Sequence, residues 1–296
     1  MDEDEVIKAE VISERRHLIS LAFRMLGTVA EAEDAVQETY VRWYRLGADE
    51  RAAIRSPRAW LTRVASRVCL DLLSSARARR ERYVGPWLPE PVPTAAFGGD
   101  TGVDPADRVT LDESVSSALL LALESLTPAE RIVFVLHDAF AMPFPEIAET
   151  IGRTPAACRQ LATAARRKLR AAPTRQVSRQ EHDQVVRAFA AAARSGDLTR
   201  LMAVLDPRVV LRSDGGGVVS AARNPVLGTD HVARFVLGVL HKRPDAGLTE
   251  LQTNDGLGYA MWEEGRIVGV ITLEVGDGLV TDVKLMVNPG KLSLWN

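Results

Sequence analysis

Cysteine is scarce in this chain of 296 residues, which contains only two, and neither belongs to a CxxC pair. Cys69 and Cys158 have apolar neighbours at helical spacings, so we expect neither a disulfide nor a metal site. No apolar run approaches the ~20 residues that cross a bilayer, and the acidic N-terminus does not resemble a signal peptide. These absences favour a cytoplasmic protein without a membrane span, a metal or a cofactor.

The net charge is also small, at −2, which argues against a nucleic-acid partner only if the charge is evenly spread. It is not evenly spread. Residues 1–50 hold twelve acids against six bases, whereas residues 51–82 hold nine Arg against Asp71 and Glu81. A polyanion responds to such local patches rather than to the average, so DNA or RNA remains a candidate partner.

Residues 127–170 carry the pattern of two helices joined by a tight turn. Phe144, Ile147 and Ile151 fall on one apolar stripe, Gly152 interrupts it, and Thr154 is a suitable N-cap for the next helix. This arrangement is typical of a helix-turn-helix, whose second helix enters the DNA major groove. An ordinary helical hairpin with a solvated face is the alternative.

Charge favours the DNA-binding interpretation, because residues 151–175 contain seven Arg or Lys and no acid. Early residues of the second helix can reach base edges, and late cations suit phosphates. We therefore expect DNA contacts from Arg159, Gln160, Thr163, Arg166, Arg167 and Lys168.

Three amphipathic helices are predicted in the first 83 residues. The first ends at Gly27, Thr28 caps the second, and Pro57 begins the third. The second helix directs outward Glu33, Asp34, Gln37, Glu38, Arg42 and Arg45. The third directs Arg63 and Arg67 outward and ends in the basic run 74–82. Plain solvation is the alternative for either charged face.

Residues 84–110 are rich in Pro and Gly and show no periodicity, which indicates a linker. Its first part, WLPEP, is unusual because Trp87, Leu88 and Pro89 make it an extended apolar peptide that suits docking. It could instead lie as a strap over its own helical domain.

In this order, the acidic helix, basic helix, linker and helix-turn-helix resemble an extracytoplasmic-function (ECF) sigma factor over about the first 175 residues. Residues 30–46 resemble region 2.2, which implies that Asp34, Gln37, Glu38, Arg42 and Arg45 bind the β′ and β subunits of RNA polymerase core. Residues 127–170 resemble region 4, which implies that they read the −35 element. Leu161 stands where the family often has Arg.

Residues 57–80 resemble the segment that melts and reads the −10 element. A melted strand needs cations along its backbone and a pocket for a flipped base. The resemblance implies −10 contacts from Arg63, Arg67, Asp71, Ser74, Ser75, Arg77, Arg79 and Arg80. Asp71 could instead be a helix-end cap.

The chain continues beyond the region-4 pattern with helices and then four alternating apolar stretches, LTELQ, GYAMW, IVGVITLEV and LVTDVKLMV. We predict a helix from Gly196-Asp197 to Asp206-Pro207, then a strand at VVLR. Helices followed by a curved sheet form an α+β pattern. This part resembles the SnoaL-like domain of the cone fold. The expected domains are region 2 at 1–83, the linker at 84–110, region 4 at 111–173 and the SnoaL-like domain at 178–296.

Two short motifs resemble those of the SigJ-like subgroup, which carries this extension. They are DGGG (Asp214, Gly215, Gly216 and Gly217) and NPGK (Asn288, Pro289, Gly290 and Lys291). Bare glycine backbone permits close approach by another segment. We expect DGGG or NPGK to contact Trp87, Leu88 and Pro89. Val218 and Gly290 depart from the subgroup, which usually has Lys and often has Asp there.

The cone fold also hosts enzymes, for which Asp214, His231 and Asp282 would be the candidates here. No spacing links these residues, and fold analogy does not establish catalysis. The leading hypothesis is therefore an alternative sigma factor, not an enzyme, that binds core polymerase and promoter DNA and is regulated by its fused domain. The alternatives are a SnoaL-like enzyme with a DNA-binding appendage and a one-component regulator that binds a small molecule.

Overall fold

The computed structural model describes residues 11, 13–80, 83–94, 116–169, 177–243 and 245–296, with the backbone alone for 76–80. The chain divides into two compact units. The first comprises residues 1–81 and 120–173, and the second comprises residues 82–119 and 174–296.

The first unit begins with four helices. They are α1 (Arg15–Leu26), α2 (Val29–Tyr44), α3 (Ala48–Ala52) and α4 (Pro57–Arg80). Gly27 ends α1 in the left-handed conformation, and the Thr28 side chain caps α2 through the backbone N–H of Glu31. The apolar stripes of α1, α2 and α4 face one another, and Trp43 meets Trp60 edge-on at 5.2 Å.

The rest of this unit is also helical. It contains α5 (Ser117–Leu123), which crosses the division between the units, then α6 (Pro128–Phe134), a π-helical turn (Val135–Ala139), α7 (Phe144–Ile151) and α8 (Pro155–Leu169). Residues 111–115, the start of the region-4 domain expected at 111–173, lie outside the described residues.

The second unit contains a six-stranded sheet in the order β2-β1-β6-β5-β4-β3. The strands are β1 (Leu205–Asp214), β2 (Val226–Leu227), β3 (Gly247–Thr253), β4 (Gly256–Glu263), β5 (Arg266–Gly276) and β6 (Leu279–Met286). β1 and β6 are parallel, and every other neighbouring pair is antiparallel.

The helices of the second unit are α9 (Arg179–Ser195), α10 (Leu198–Ala203) and α11 (Thr229–His241). They cover one face of the sheet, where Phe189 and Val232 pack with Leu211 and Val283. Because side chains alternate along a strand, Arg212 and its even-numbered neighbours face the other side. Helices on one face of a mostly antiparallel sheet confirm the expected α+β fold.

One boundary in this unit was predicted wrongly. The helix expected to reach Asp206-Pro207 ends at Ala203, and β1 already begins at Leu205. Leu205 pairs with Val280 of β6, and an irregularity in register follows before pairing resumes at Val210. Pro207 falls within this irregularity, where its missing N–H does not interrupt regular pairing.

Candidate functional site

The helix-turn-helix forms from its sequence signals. The hydroxyl oxygen of Thr154 accepts a hydrogen bond from the N–H of Ala157, and Gly152 closes α7 in the left-handed conformation. Cys158, Ala162 and Ala165 bury one face of α8. The opposite face is open, and there Arg159, Gln160, Thr163, Ala164 and Arg167 line a surface groove.

Two late cations of α8 are paired within the first unit. Arg166 lies 2.8 Å from Asp138, and Lys168 lies 2.7 Å from Glu130. Burial alone would raise the pKa of Glu130, but hydrogen bonds from Lys168 and Thr127 outweigh it and hold the pKa below its ordinary value. The early residues of α8 are thus more available to a ligand than Arg166 and Lys168 are.

Helix α4 corresponds to the third helix predicted from the sequence. It places the residues expected to contact the −10 element in two environments. Arg67 donates hydrogen bonds to the carbonyl oxygens of Thr150 and Glu149, and Arg63 pairs with the Glu149 carboxylate at 3.3 Å. Asp71, Ser74 and Ser75 are exposed on the following turns, where each serine hydroxyl donates to a carbonyl of α4. The side chains of Arg77, Arg79 and Arg80 lie outside the described residues.

The outer face of α2 is solvent-facing, as an interaction surface requires. Asp34, Gln37, Arg42 and Arg45 are exposed and Glu38 is half-buried. The Arg42 and Glu38 side chains form an ion pair of 2.8 Å, one helical turn apart.

In the second unit, the linker is held by a buried ion pair. The Lys291 ammonium lies 2.8 Å from the Asp214 carboxylate and donates to the carbonyl oxygen of Leu88 at 2.6 Å. Asp214 also accepts a hydrogen bond from the Leu88 N–H, and the Trp87 ring centroid lies 4.2 Å from the Lys291 nitrogen. The structure therefore brings DGGG, NPGK and WLPEP together. Pro89 is buried, whereas Pro289 is exposed.

Sequence reasoning missed Tyr83, which completes this cluster. Its hydroxyl donates to Asp214 at 2.6 Å and accepts from the Asn288 amide at 2.8 Å. Burial, followed by the hydrogen bond to Asp214 and its negative charge, raises the Tyr83 pKa above its ordinary value. We call Tyr83, Leu88, Asp214, Asn288 and Lys291 the linker latch. A lone Tyr before a Pro-rich segment gave no signal for this role.

The glycines of DGGG allow close approach, but not to Trp87. A Cβ atom on Gly216 would lie 2.6 Å from the Asn288 side chain, and one on Gly215 would lie 2.1 Å from the Val219 carbonyl oxygen. Gly216 has φ +64°, in the left-handed region. The two motifs therefore pack on each other, while Lys291 and Asp214 provide the contacts to the linker.

A second group of contacts holds the linker at the turn between β3 and β4. Val92 and Asn254 exchange hydrogen bonds of 3.3 and 3.0 Å. Asp255 accepts from both the N–H and the hydroxyl of Ser117, the first residue of α5. Because the turn binds residues on both sides of the stretch 93–116, it is a second anchor for the linker.

The three candidate catalytic residues are not brought together. Asp214 belongs to the linker latch, His231 is exposed on α11, and Asp282 pairs with Arg212 on the far face of the sheet. The cavity between the sheet and α11 is lined by apolar side chains and Tyr259, with no Asp, Glu or His. The described lining therefore lacks the buried Asp or His expected of a cone-fold enzyme.

The sequence matches the Sigma-70 region 2 family over residues 11–79 and the Sigma-70 region 4 family over residues 116–169. It is 44% identical to the ECF RNA polymerase sigma factor SigJ of Mycobacterium tuberculosis, over 77% of this chain and 71% of SigJ. The chain belongs to the ECF sigma factor family. As a sigma factor it binds RNA polymerase core and promoter DNA, and the expectation of this family is confirmed.

The likeness extends through the C-terminal unit. This chain is 40% identical to the probable ECF sigma factor SigI of Mycobacterium tuberculosis, over 99% of this chain and 97% of SigI. The crystal structure of M. tuberculosis SigJ superimposes with a TM-score of 0.74 at 35% identity, over 96% of this chain and 98% of that chain. The expected architecture of two helical sigma domains followed by a C-terminal α+β domain is confirmed.

The described ranges lack two other kinds of feature. No three His, Cys, Asp or Glu side chains there cluster closely enough to hold a metal ion. Across the same ranges, no helix combines the length and the apolarity that crossing a bilayer requires.

Proposed function

We propose that this sigma factor reads the −35 element with the open groove of α8 and the −10 element with α4. The exposure of Arg159, Gln160 and Thr163 carries this assignment, because early residues of a recognition helix must reach base edges. Arg166, Arg167 and Lys168 hold phosphates, and Arg166 and Lys168 exchange their acidic partners for DNA as they bind.

The outer face of α2 docks on the β′ and β subunits of core polymerase. Its exposed charges of both signs, which include the Arg42–Glu38 pair, support this assignment. The corresponding inner face is fully occupied by packing within the first unit, so only the outer face is available to a partner. The protein acts where its polymerase is, in the cytoplasm.

The C-terminal unit regulates the sigma factor by controlling its linker. Within the linker latch, Lys291 and Asp214 bind Leu88, and the β3–β4 turn binds Val92 and Ser117. A linker held at two places cannot extend, whereas the two DNA-reading domains must reach separate promoter elements. Because the holding unit is tethered to the linker, its effective concentration is in the millimolar range and modest contacts suffice.

Run-off transcription with purified core polymerase tests this function. Wild-type protein is expected to start transcripts at a cognate promoter. Lys291→Met and Asp255→Ala, which weaken the two anchors separately, are expected to change initiation from that promoter. Absence of initiation from every promoter, together with tight binding of the protein alone to duplex DNA, would instead indicate a one-component regulator.

A regulatory ligand is a second element of the proposal, supported by the apolar cavity under α11. Residues such as Phe235, Val236 and Leu240 are half-buried at this cavity, so the helix does not fully seal it. A lining without charged groups suits a small, wholly apolar molecule. Xenon, a small apolar atom, is a suitable probe for a cavity of about 30 Å³. Binding should raise the melting temperature of wild-type protein but not of an Ala193→Phe variant that fills the cavity.

A further inference from the structure

The carboxyl end of α7 has an unusual partner. The helix carries no basic residue in its last turn, so none of its own cations complements the partial negative charge of its final carbonyl groups. Arg67 of α4 supplies that charge from another helix, with hydrogen bonds of 2.9 Å to the Thr150 oxygen and 3.2 Å to the Glu149 oxygen. A guanidinium binds closely placed oxygens with the same fork of N–H groups that it presents to a phosphate.

The neighbouring arginine on α4 is engaged at the same place. Arg63 lies one helical turn before Arg67, and its guanidinium pairs with the Glu149 carboxylate at 3.3 Å. Glu149 thus receives both arginines, one at its side chain and one at its backbone oxygen. Arg63 and Arg67 are also the arginines, among those with described side chains, that are assigned to contact the DNA backbone of the −10 element.

Further contacts within the first unit join region 4 to α1 of region 2. The buried Arg131 of α6 donates a hydrogen bond of 3.1 Å to the backbone oxygen of Arg24 on α1. Phe140, just before α7, meets His17 edge-on at 5.0 Å and lies 5.4 Å from the Arg24 guanidinium. Region 2 and region 4 therefore share a built interface, and the arginine contacts to α7 are part of it.

We propose that the carboxyl end of α7 imitates the backbone of single-stranded DNA and occupies the −10-binding arginines until the melted strand displaces it. This inference rests on the proposed assignment of Arg63 and Arg67 to the −10 element. The helix-turn-helix then has two roles. Its second helix reads the −35 element, and its first helix competes with the melted −10 strand.

The test compares two substitutions on α7 in the full-length chain. Glu149→Arg places a cation beside Arg63 and Arg67, whereas Glu146→Arg makes the same charge change at an exposed position of the same helix, for which no ion pair is found in the described chain. The probe is a short oligodeoxythymidine, and its binding is measured by fluorescence anisotropy. Both variants gain electrostatic attraction to DNA, but Glu149→Arg is expected to bind about fivefold more tightly than Glu146→Arg because only it also loses the competing contact.

A distance measurement gives an independent readout. Spin labels on Ala53→Cys in region 2 and Ala156→Cys in region 4 suit this purpose, because both positions are exposed and the native Cys69 and Cys158 are buried. The oligonucleotide is expected to lengthen or broaden the distance distribution, and Glu149→Arg to do so without DNA. Equal affinities for the two α7 variants, or an unchanged distance on binding, would overturn the imitation.

One further variant separates this inference from the assignment beneath it. Arg67→Ala should weaken binding of the oligonucleotide if Arg67 contacts the −10 strand. If Arg67→Ala binds as wild type does, the −10 assignment fails and the imitation fails with it. If Arg67→Ala weakens binding while the two α7 variants remain equal, the assignment stands and only the imitation is overturned.

Discussion

Lys291 and Asp214 form an ion pair inside the second unit, in which the Asp214 carboxylate has no solvent exposure. Both partners also bind the Leu88 backbone, one at its oxygen and one at its N–H. An ion pair that is satisfied by a third group tolerates burial, whereas the loss of either partner leaves an uncompensated charge. The linker is therefore part of the environment that keeps this pair stable.

Lys291→Met tests that dependence. We expect the free energy of unfolding of the second unit to fall by about 3 kcal/mol or more, because Asp214 would remain buried without its cation. Amide hydrogen exchange of β1 and β6 measures this unit separately from the first. Lys242→Met, at an exposed position of the same unit, is the control and should change little. Equal exchange in the two variants would contradict a stabilising role for the pair.

The glycines of DGGG give a second test. Gly216→Ala and Gly217→Ala both place a side chain at positive φ, +64° and +74°, so they share the backbone strain of about 1 kcal/mol. Only Gly216→Ala also meets the Asn288 side chain, at 2.6 Å, whereas the added atom at Gly217 lies 3.4 Å from Val84. Gly216→Ala should therefore expose the linker to limited proteolysis more than Gly217→Ala. Identical cleavage rates would remove Asn288 from the linker latch.

Much of this architecture could be predicted from local signals. Gly27, Thr28, Pro57 and Thr154 mark helix ends because capping and fixed φ act within a few residues. The contacts of Arg67 with α7 could not be predicted, because they join residues more than eighty positions apart and depend on how the helices pack. The same reason hid Tyr83, whose partner Asp214 lies 131 residues away. The sequence pattern identified the candidate interaction surfaces, but the long-range packing of the chain determines which of these surfaces are already occupied.

Arg159 and Arg167 should have different effects on −35 binding. Arg159→Ala is expected to cost about 1–3 kcal/mol and to relax preference at one base pair, because an early recognition-helix arginine contacts a base edge. Arg167→Ala should weaken all sequences alike and lower the salt slope by about one unit, as loss of one phosphate contact does. Binding of duplexes that carry each base at each −35 position, at several salt concentrations, distinguishes the two. Unaltered sequence preference in Arg159→Ala would refute its assignment.

The polymerase-docking face can be tested without disturbing the helix. Exchanging the charges at Glu38 and Arg42 keeps their ion pair, because the two residues lie one turn apart and both are partly exposed. Stability of the first unit should therefore stay within about 0.5 kcal/mol of wild type. Pull-down of core polymerase should be lost, because each charge meets the wrong partner on the core. Retained pull-down with unchanged stability would show that this pair lies outside the docking surface.

The pKa of His17 determines part of the response of the first unit to acid. Burial, then the charges of Arg58 and Arg24, lowers its pKa from 6.5 to about 4. The folded state therefore keeps His17 neutral, while the unfolded chain binds a proton at this residue below pH 6.5. The contribution of His17 to stability is complete above that pH and is lost as pH falls toward 4. By pH 5 the loss should be about 1–2 kcal/mol, before most carboxylates titrate. In a His17→Asn variant, which retains a polar group for Thr62, this part of the pH dependence should disappear. Urea denaturation of both proteins between pH 7 and pH 5 measures the difference, and parallel stability curves would show that His17 is not the responsible group.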